Sequence, residues 1–158
     1  MPVRWILVAE DDHFQREAIA QAIKDAAPRG FEIEIILANS EIAANDALDS
    51  AERSGITFDA YVIDLHLPWS QEDSFPQPPF NVVQYGPLQA GLRVADRISN
   101  SRNGRNSSLN IPQKPIILYT IDDGPDILAF GDGAKNRHGL LKGDDDSELA
   151  DLILSLIC

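Results

Sequence analysis

The sequence has one cysteine, Cys158, and it is the last residue. A single thiol allows no disulfide framework and no cysteine metal cluster, and a reducing compartment fits. Basic residues are scarce: 13 Lys and Arg stand against 25 Asp and Glu, a formal net charge of −12. Surfaces that bind nucleic acid are basic, so this balance argues against that class. Long hydrophobic runs are missing as well. No stretch approaches the ~20 apolar residues of a membrane span, and the N-terminus lacks the layout of a signal peptide. What remains is an acidic chain of 158 residues whose 44% apolar fraction suffices for a core. One globular, cytoplasmic domain over 1–158 is expected, with neither nucleic acid nor membrane as a direct partner.

One stretch organises the rest: Ala60-Tyr61-Val62-Ile63-Asp64-Leu65-His66-Leu67-Pro68. An apolar run ends in one carboxylate, and a proline then stops regular structure. This reads as a buried strand that delivers Asp64 to the end of a sheet. A carboxylate in that place is costly unless paired or hydrogen-bonded, so the remaining chain should supply its partner.

The same pattern recurs along the chain. Trp5 to Ala9 is an apolar run without alternation, as in a central strand covered on both faces. Glu10-Asp11-Asp12 follows at once, and Phe14, Ala18, Ile19, Ala22 and Ile23 then recur at helical spacing, with Asp12 placed to cap. Phe31 to Ile35 alternates apolar and acidic residues, which predicts a half-exposed edge strand. Ser40 is placed to cap a helix that Gly55 ends. Phe58 to Ile63 is a third strand, Gly91 to Ile98 a helix, and Pro115 to Thr120 a fourth strand. Ile127 to Phe130 reads as a short helix and Gly139 to Lys142 as a fifth strand. The last helix carries one apolar stripe of Leu149, Leu152, Ile153, Leu156 and Ile157, with Asp144, Asp145 or Asp146 as its cap.

Five strands alternating with helices predict a doubly wound α/β fold, a parallel sheet with helices on both faces. Two segments depart from the rhythm. Residues 69–90 form an insertion rich in proline and aromatic residues (Trp69, Phe75, Phe80, Tyr85), and 99–114 reads as an extended polar loop. Long ordered loops of this kind are often functional. The insertion is expected either to cover an apolar flank or to act as a docking surface or lid.

In a parallel sheet the carboxyl ends of the strands face one way, and ligands bind beyond them. Four of those ends carry polar groups: Glu10 and Asp11, Asp64, Thr120, and Lys142. Clustered carboxylates repel one another, and a divalent cation relieves the repulsion. Oxygen donors without Cys or His clusters favour Mg²⁺. A carboxylate beside Mg²⁺ and a lysine can attack phosphorus and form an aspartyl phosphate.

With these residues in order, the chain resembles the receiver domains of two-component response regulators. The resemblance rests on Ile6 to Asp12, Val62 to Pro68, Gly91-Leu92, Pro115 to Thr120 and Leu141-Lys142. It implies a flavodoxin-like (βα)5 sheet of strand order 2-1-3-4-5. It also implies roles: Asp64 as phosphoacceptor, Thr120 as switch hydroxyl and Lys142 as phosphate-binding cation. Mg²⁺ would be held by Asp11, Asp64 and the main-chain carbonyl of His66, with Glu10 acting partly through water. The phosphodonor would be a phosphohistidine on a histidine kinase or phosphotransfer protein; with no output domain after the last helix, the output would be an unidentified protein partner, or the chain is a fragment of something longer. Chemistry would be limited to self-catalysed phosphotransfer and autodephosphorylation rather than enzymatic turnover.

The chain departs from the family's pattern in four places. The insertion and the 99–114 loop are long, Gly143 follows the lysine where proline is usual, and Gly139 stands where an aromatic is frequent.

Plainer readings exist for each residue. Glu10, Asp11 or Asp12 can serve as helix cap, with Asp12 the best candidate. Asp64 can be a turn former, Thr120 an ordinary β-branched strand residue and Lys142 a surface lysine. The His66 side chain either tunes water access to the acceptor or faces solvent. Two further functions compete. One is a receiver-like module that binds a partner through its insertion without phosphorylation. The other is a Mg²⁺-dependent aspartyl-phosphate phosphatase, for which a second carboxylate is expected where His66 stands.

Overall fold

The computed structural model of the chain describes residues 2–71, 78–79, 90–103, 113–121, 125–132 and 136–158. The elements run β1 (Val3–Ala9), α1 (His13–Ala26), β2 (Glu32–Ala38), α2 (Glu41–Ser54), β3 (Ala60–Ile63), α3 (Ala90–Asn103), β4 (Ile116–Thr120), α4 (Pro125–Phe130), β5 (Arg137–Leu141) and α5 (Ser147–Ile157). The five strands pair in parallel, in the order β2-β1-β3-β4-β5. The alternating sequence of β2 therefore belongs to an edge strand, and the unbroken apolar runs of β1, β3 and β4 lie inside the sheet.

The two-residue period of a strand divides those runs between two cores. Leu7, Ile63 and Leu118 pack with Ala44, Val94, Ala95 and Ile98, on the side of α2 and α3. Ile6, Val8, Val62, Ile117 and Tyr119 pack with Ile19, Ile23, Leu149 and Ile153, on the side of α1 and α5. Burying each such aliphatic side chain stabilises the fold by roughly 1.5–3 kcal/mol. Both faces are thus occupied, as a parallel sheet requires.

Two expectations need correction. The loop expected over 99–114 starts later, because α3 continues to Asn103. Ser99 is buried, and its hydroxyl accepts a 2.8 Å hydrogen bond from Arg137 on β5. That tie keeps a polar residue inside the helix; 104–112 lie outside the described residues. Phe14 shares the helical spacing of α1 but not its burial, with 83% of its surface exposed. It lies in the first turn and stacks edge-on against His13.

Of the 69–90 insertion, only its ends and 78–79 are among the described residues, so Phe75, Phe80 and Tyr85 lie outside them. Its beginning is firmly placed. The carbonyls of Pro68 and Trp69 accept from the Glu41 and Ile42 N–H groups at 2.8 and 3.0 Å, and the Gln71 side chain donates to the Asn39 carbonyl at 2.7 Å. At its far end, Gly91 donates to the Leu65 carbonyl at 3.0 Å. A Cβ on Gly91 would lie 2.4 Å from the Asp64 carbonyl oxygen, so α3 starts against the backbone of the β3 end.

Candidate functional site

The carboxyl ends of β1, β3, β4 and β5 bring the expected polar residues to one side of the sheet. Asp64 follows β3 directly, and its N–H donates to the Ala9 carbonyl at 2.9 Å, so the strand pairing itself fixes its position. Glu10 is held in the same way by its N–H to Ala38 at 2.9 Å. The Lys142 N–H donates to the Thr120 carbonyl at 2.9 Å, which anchors the start of the segment after β5. Glu10, Asp64 and Thr120 are buried, Lys142 is half-buried and Asp11 is exposed.

Lys142 is the hub. Its ammonium donates to Glu10 Oε2 at 2.5 Å and to Asp64 Oδ2 at 3.0 Å. The other oxygen of each carboxylate is also engaged. Asp64 Oδ1 accepts from the His66 N–H at 3.1 Å, and Glu10 Oε1 accepts from the Asp12 N–H at 3.1 Å. The carboxylate needing a partner thus has two, a cation and a backbone donor, which is how a buried charge becomes tolerable.

The electrostatics follow from the crowding. Burial first, and then the neighbouring Asp64, push the Glu10 carboxyl up to about 7 against the opposing pull of Lys142. Burial alone would lower the Lys142 ammonium, but its contacts with Glu10 and Asp64 outweigh that and raise it. One oxygen each from Glu10, Asp11 and Asp64 lie within 4.8 Å of one another. Such an all-oxygen set, with one exposed member open to water, fits a divalent cation.

Each remaining candidate has a defined place. Thr120 ends β4, fully buried. His66 is half-buried, and its contribution to the Asp64 carboxylate comes from its main chain. Asp12 is the cap of α1, accepting from the Gln15 N–H at 2.8 Å. For α5 the cap bond falls to Asp145, which accepts from the Ser147 N–H at 2.9 Å.

Three contributors escaped sequence reasoning. Arg16 donates to the Glu10 carbonyl at 2.8 Å and stays close to the Asp11 carbonyl at 3.3 Å, pinning the acidic turn from the first turns of α1. Its spacing from Asp12, one helical turn, was the available signal. Tyr119 and Asp146 are joined by a 2.7 Å hydrogen bond from the phenol, with the Tyr119 ring beside the Lys142 ammonium. Burial and this carboxylate push the Tyr119 phenol upward. In sequence Tyr119 passes for an ordinary strand aromatic.

At Gly139 a Cβ would lie 2.7 Å from the carbonyl oxygen of Ile127. The chain therefore lets α4 close onto β5 where a larger residue would hold it away.

No family model and no curated protein sequence matches the chain. Solved structures do. The Mn²⁺-bound form of response regulator Rcp1 aligns over 96% of this chain and 90% of its own, with 16% identity and a TM-score of 0.54. The phosphorylated cyanobacterial phytochrome response regulator RcpA aligns over 98% of this chain and 91% of its own, with 16% identity and a TM-score of 0.56. The bacteriophytochrome response regulator AtBRR aligns over 100% of this chain and 96% of its own, with 18% identity and a TM-score of 0.62. The described elements of the chain are built on the receiver fold of response regulators.

Proposed function

We propose that this chain is a phosphoacceptor receiver, in which Asp64 takes a phosphoryl group from a phosphohistidine and the change is read by a protein partner. The observation that carries this reading is Lys142 bridging Glu10 and Asp64 at 2.5 and 3.0 Å, beside an all-oxygen cluster. Rcp1 with Mn²⁺ and RcpA in its phosphorylated state support it as proteins of the same fold.

In the proposed reaction the His66 N–H holds Asp64 Oδ1, which fixes the carboxylate plane and turns Oδ2 toward Lys142. Oδ2 attacks the phosphorus. The O–P bond forms as the N–P bond of the donor breaks, and the electron pair stays on the imidazole nitrogen. Lys142 then moves its hydrogen bond to an incoming phosphoryl oxygen, and the Thr120 hydroxyl donates to another. Asp11, Asp64 and the His66 carbonyl would hold Mg²⁺, with Glu10 acting through water. When bound, the cation neutralises charge on the transferring group.

The test is the chemical identity of the product. Protein treated with a small phosphodonor and Mg²⁺ should carry an acyl phosphate that hydroxylamine releases, on the peptide containing Asp64. A hydroxylamine-stable phosphate, or one on another peptide, argues against the reading.

Gly139 favours a second reading, a module that binds its partner without phosphorylation. The Ile127 main chain stands where a switch aromatic on that residue would have to start. This reading expects a partner to bind wild type and Asp64→Asn equally.

A further inference from the structure

Asp146 breaks a local rule. It precedes α5 at the position where an aspartate usually caps a helix, yet its side chain makes no cap bond. Asp145 does that work instead, accepting from both the Ser147 N–H and hydroxyl. Asp146 is nevertheless buried, and a desolvated carboxylate needs a compensating partner. Its Oδ1 accepts from the Tyr119 phenol at 2.7 Å and from the Gln15 side-chain amide at 3.1 Å. One oxygen thus joins β4, α1 and the start of α5.

The segment it closes is the one that carries Lys142. After Lys142 come Gly143, Asp144 and Asp145, all exposed. The Lys142 N–H bond to Thr120 fixes the near end, and Asp146 is the next fixed point. The Tyr119 ring centre lies 5.8 Å from the Lys142 ammonium, within cation–π range.

We propose that Tyr119 and Asp146, braced by Gln15, form a clamp that holds the 142–146 segment and so positions Lys142 against Asp64. They are positioning residues. Their relevance to phosphoryl transfer rests on the receiver reading; their hold on Lys142 does not.

The experiment exploits that separation. Amine acetylation of the intact protein, followed by peptide mapping, reads the rate at Lys142 against the exposed Lys24 as internal standard. Tyr119→Phe keeps the ring and removes the bond. It should raise relative labelling of Lys142 about tenfold, as an opened local structure loses protection. Asp146→Ala should do the same, while Asp146→Asn, which keeps an oxygen for the phenol, should stay near wild type. Labelling unchanged in both Tyr119→Phe and Asp146→Ala overturns the clamp, even if thermal stability falls. A second arm measures phosphorylation by saturating acetyl phosphate with Mg²⁺. Tyr119→Phe should slow it about tenfold, as misplacing a catalytic group does, with Mg²⁺ affinity no weaker than in wild type. A wild-type protein that is never phosphorylated removes the receiver reading, while the labelling result still decides the clamp.

Discussion

The Lys142 ammonium lies 2.5 Å from Glu10 Oε2, joining the segment after β5 to the end of β1 across the top of the sheet. Together with the 3.0 Å contact to Asp64, it places a fixed protein cation against two of the three carboxylates that suit a divalent ion. The lysine and the metal therefore compete for the same negative charge.

Lys142→Met separates the two roles. Removing the ammonium leaves the carboxylates repelling one another, so divalent binding should tighten by about tenfold. Phosphorylation should nevertheless slow by about a hundredfold, because a donor aimed at the transferring group is lost. Calorimetric Mg²⁺ titration and acetyl phosphate kinetics on the same variant check both halves.

The raised Glu10 carboxyl sets a pH dependence. Its folded value is about 7 against an ordinary 4.5, so between those values the folded protein holds a proton that the unfolded chain has released. Stability from this group is complete below about 4.5 and is lost as pH rises through about 7. Urea denaturation in chelator should show wild type losing stability relative to Glu10→Gln over that window. Mg²⁺ binding should release a proton near pH 6 and none near pH 8, measurable in buffers of different ionisation enthalpy.

Gly91 is required by close approach. Its missing Cβ leaves room for the Asp64 carbonyl oxygen at 2.4 Å and the Leu65 Cα at 2.8 Å. Both are backbone atoms with little freedom to yield. Gly91→Ala should destabilise the fold by about 1–3 kcal/mol in urea melts and slow phosphorylation, because the displaced backbone is that of the acceptor.

Arg93 and Glu41 form a two-point ion pair between α3 and α2, at 2.7 and 2.8 Å, with Glu41 buried. Arg93→Ala strands that carboxylate and should cost about 3–5 kcal/mol of stability. Arg93→Ala with Glu41→Gln should recover part of the loss. Equal loss in single and double variants would show that packing, not charge, governs the contact.

The sheet was legible because its strands are short apolar runs that each end in a polar residue, a pattern set by burial on both faces. The placement of Glu10, Asp64, Thr120 and Lys142 follows from strand direction alone, since parallel strands put all their carboxyl ends on one side. Contacts between distant residues were not legible. Nothing near Asp146 in sequence marks it as the partner of Tyr119 rather than the cap of α5. Helix α3 ran past its expected end because Arg137, on another element, satisfies Ser99. Phe14 shows the opposite failure: periodicity places it with the apolar residues of α1, but in the first turn of that helix it stays exposed.

The most direct measurement of phosphoacceptor function is intact mass after incubation with acetyl phosphate and Mg²⁺. Wild type should gain the mass of one phosphoryl group, and Asp64→Asn, folded and still able to bind partners of the unphosphorylated form, should gain none. A wild-type protein that binds Mg²⁺ yet gains no mass, or an Asp64→Asn protein that gains as much as wild type, contradicts the assignment of Asp64 as acceptor.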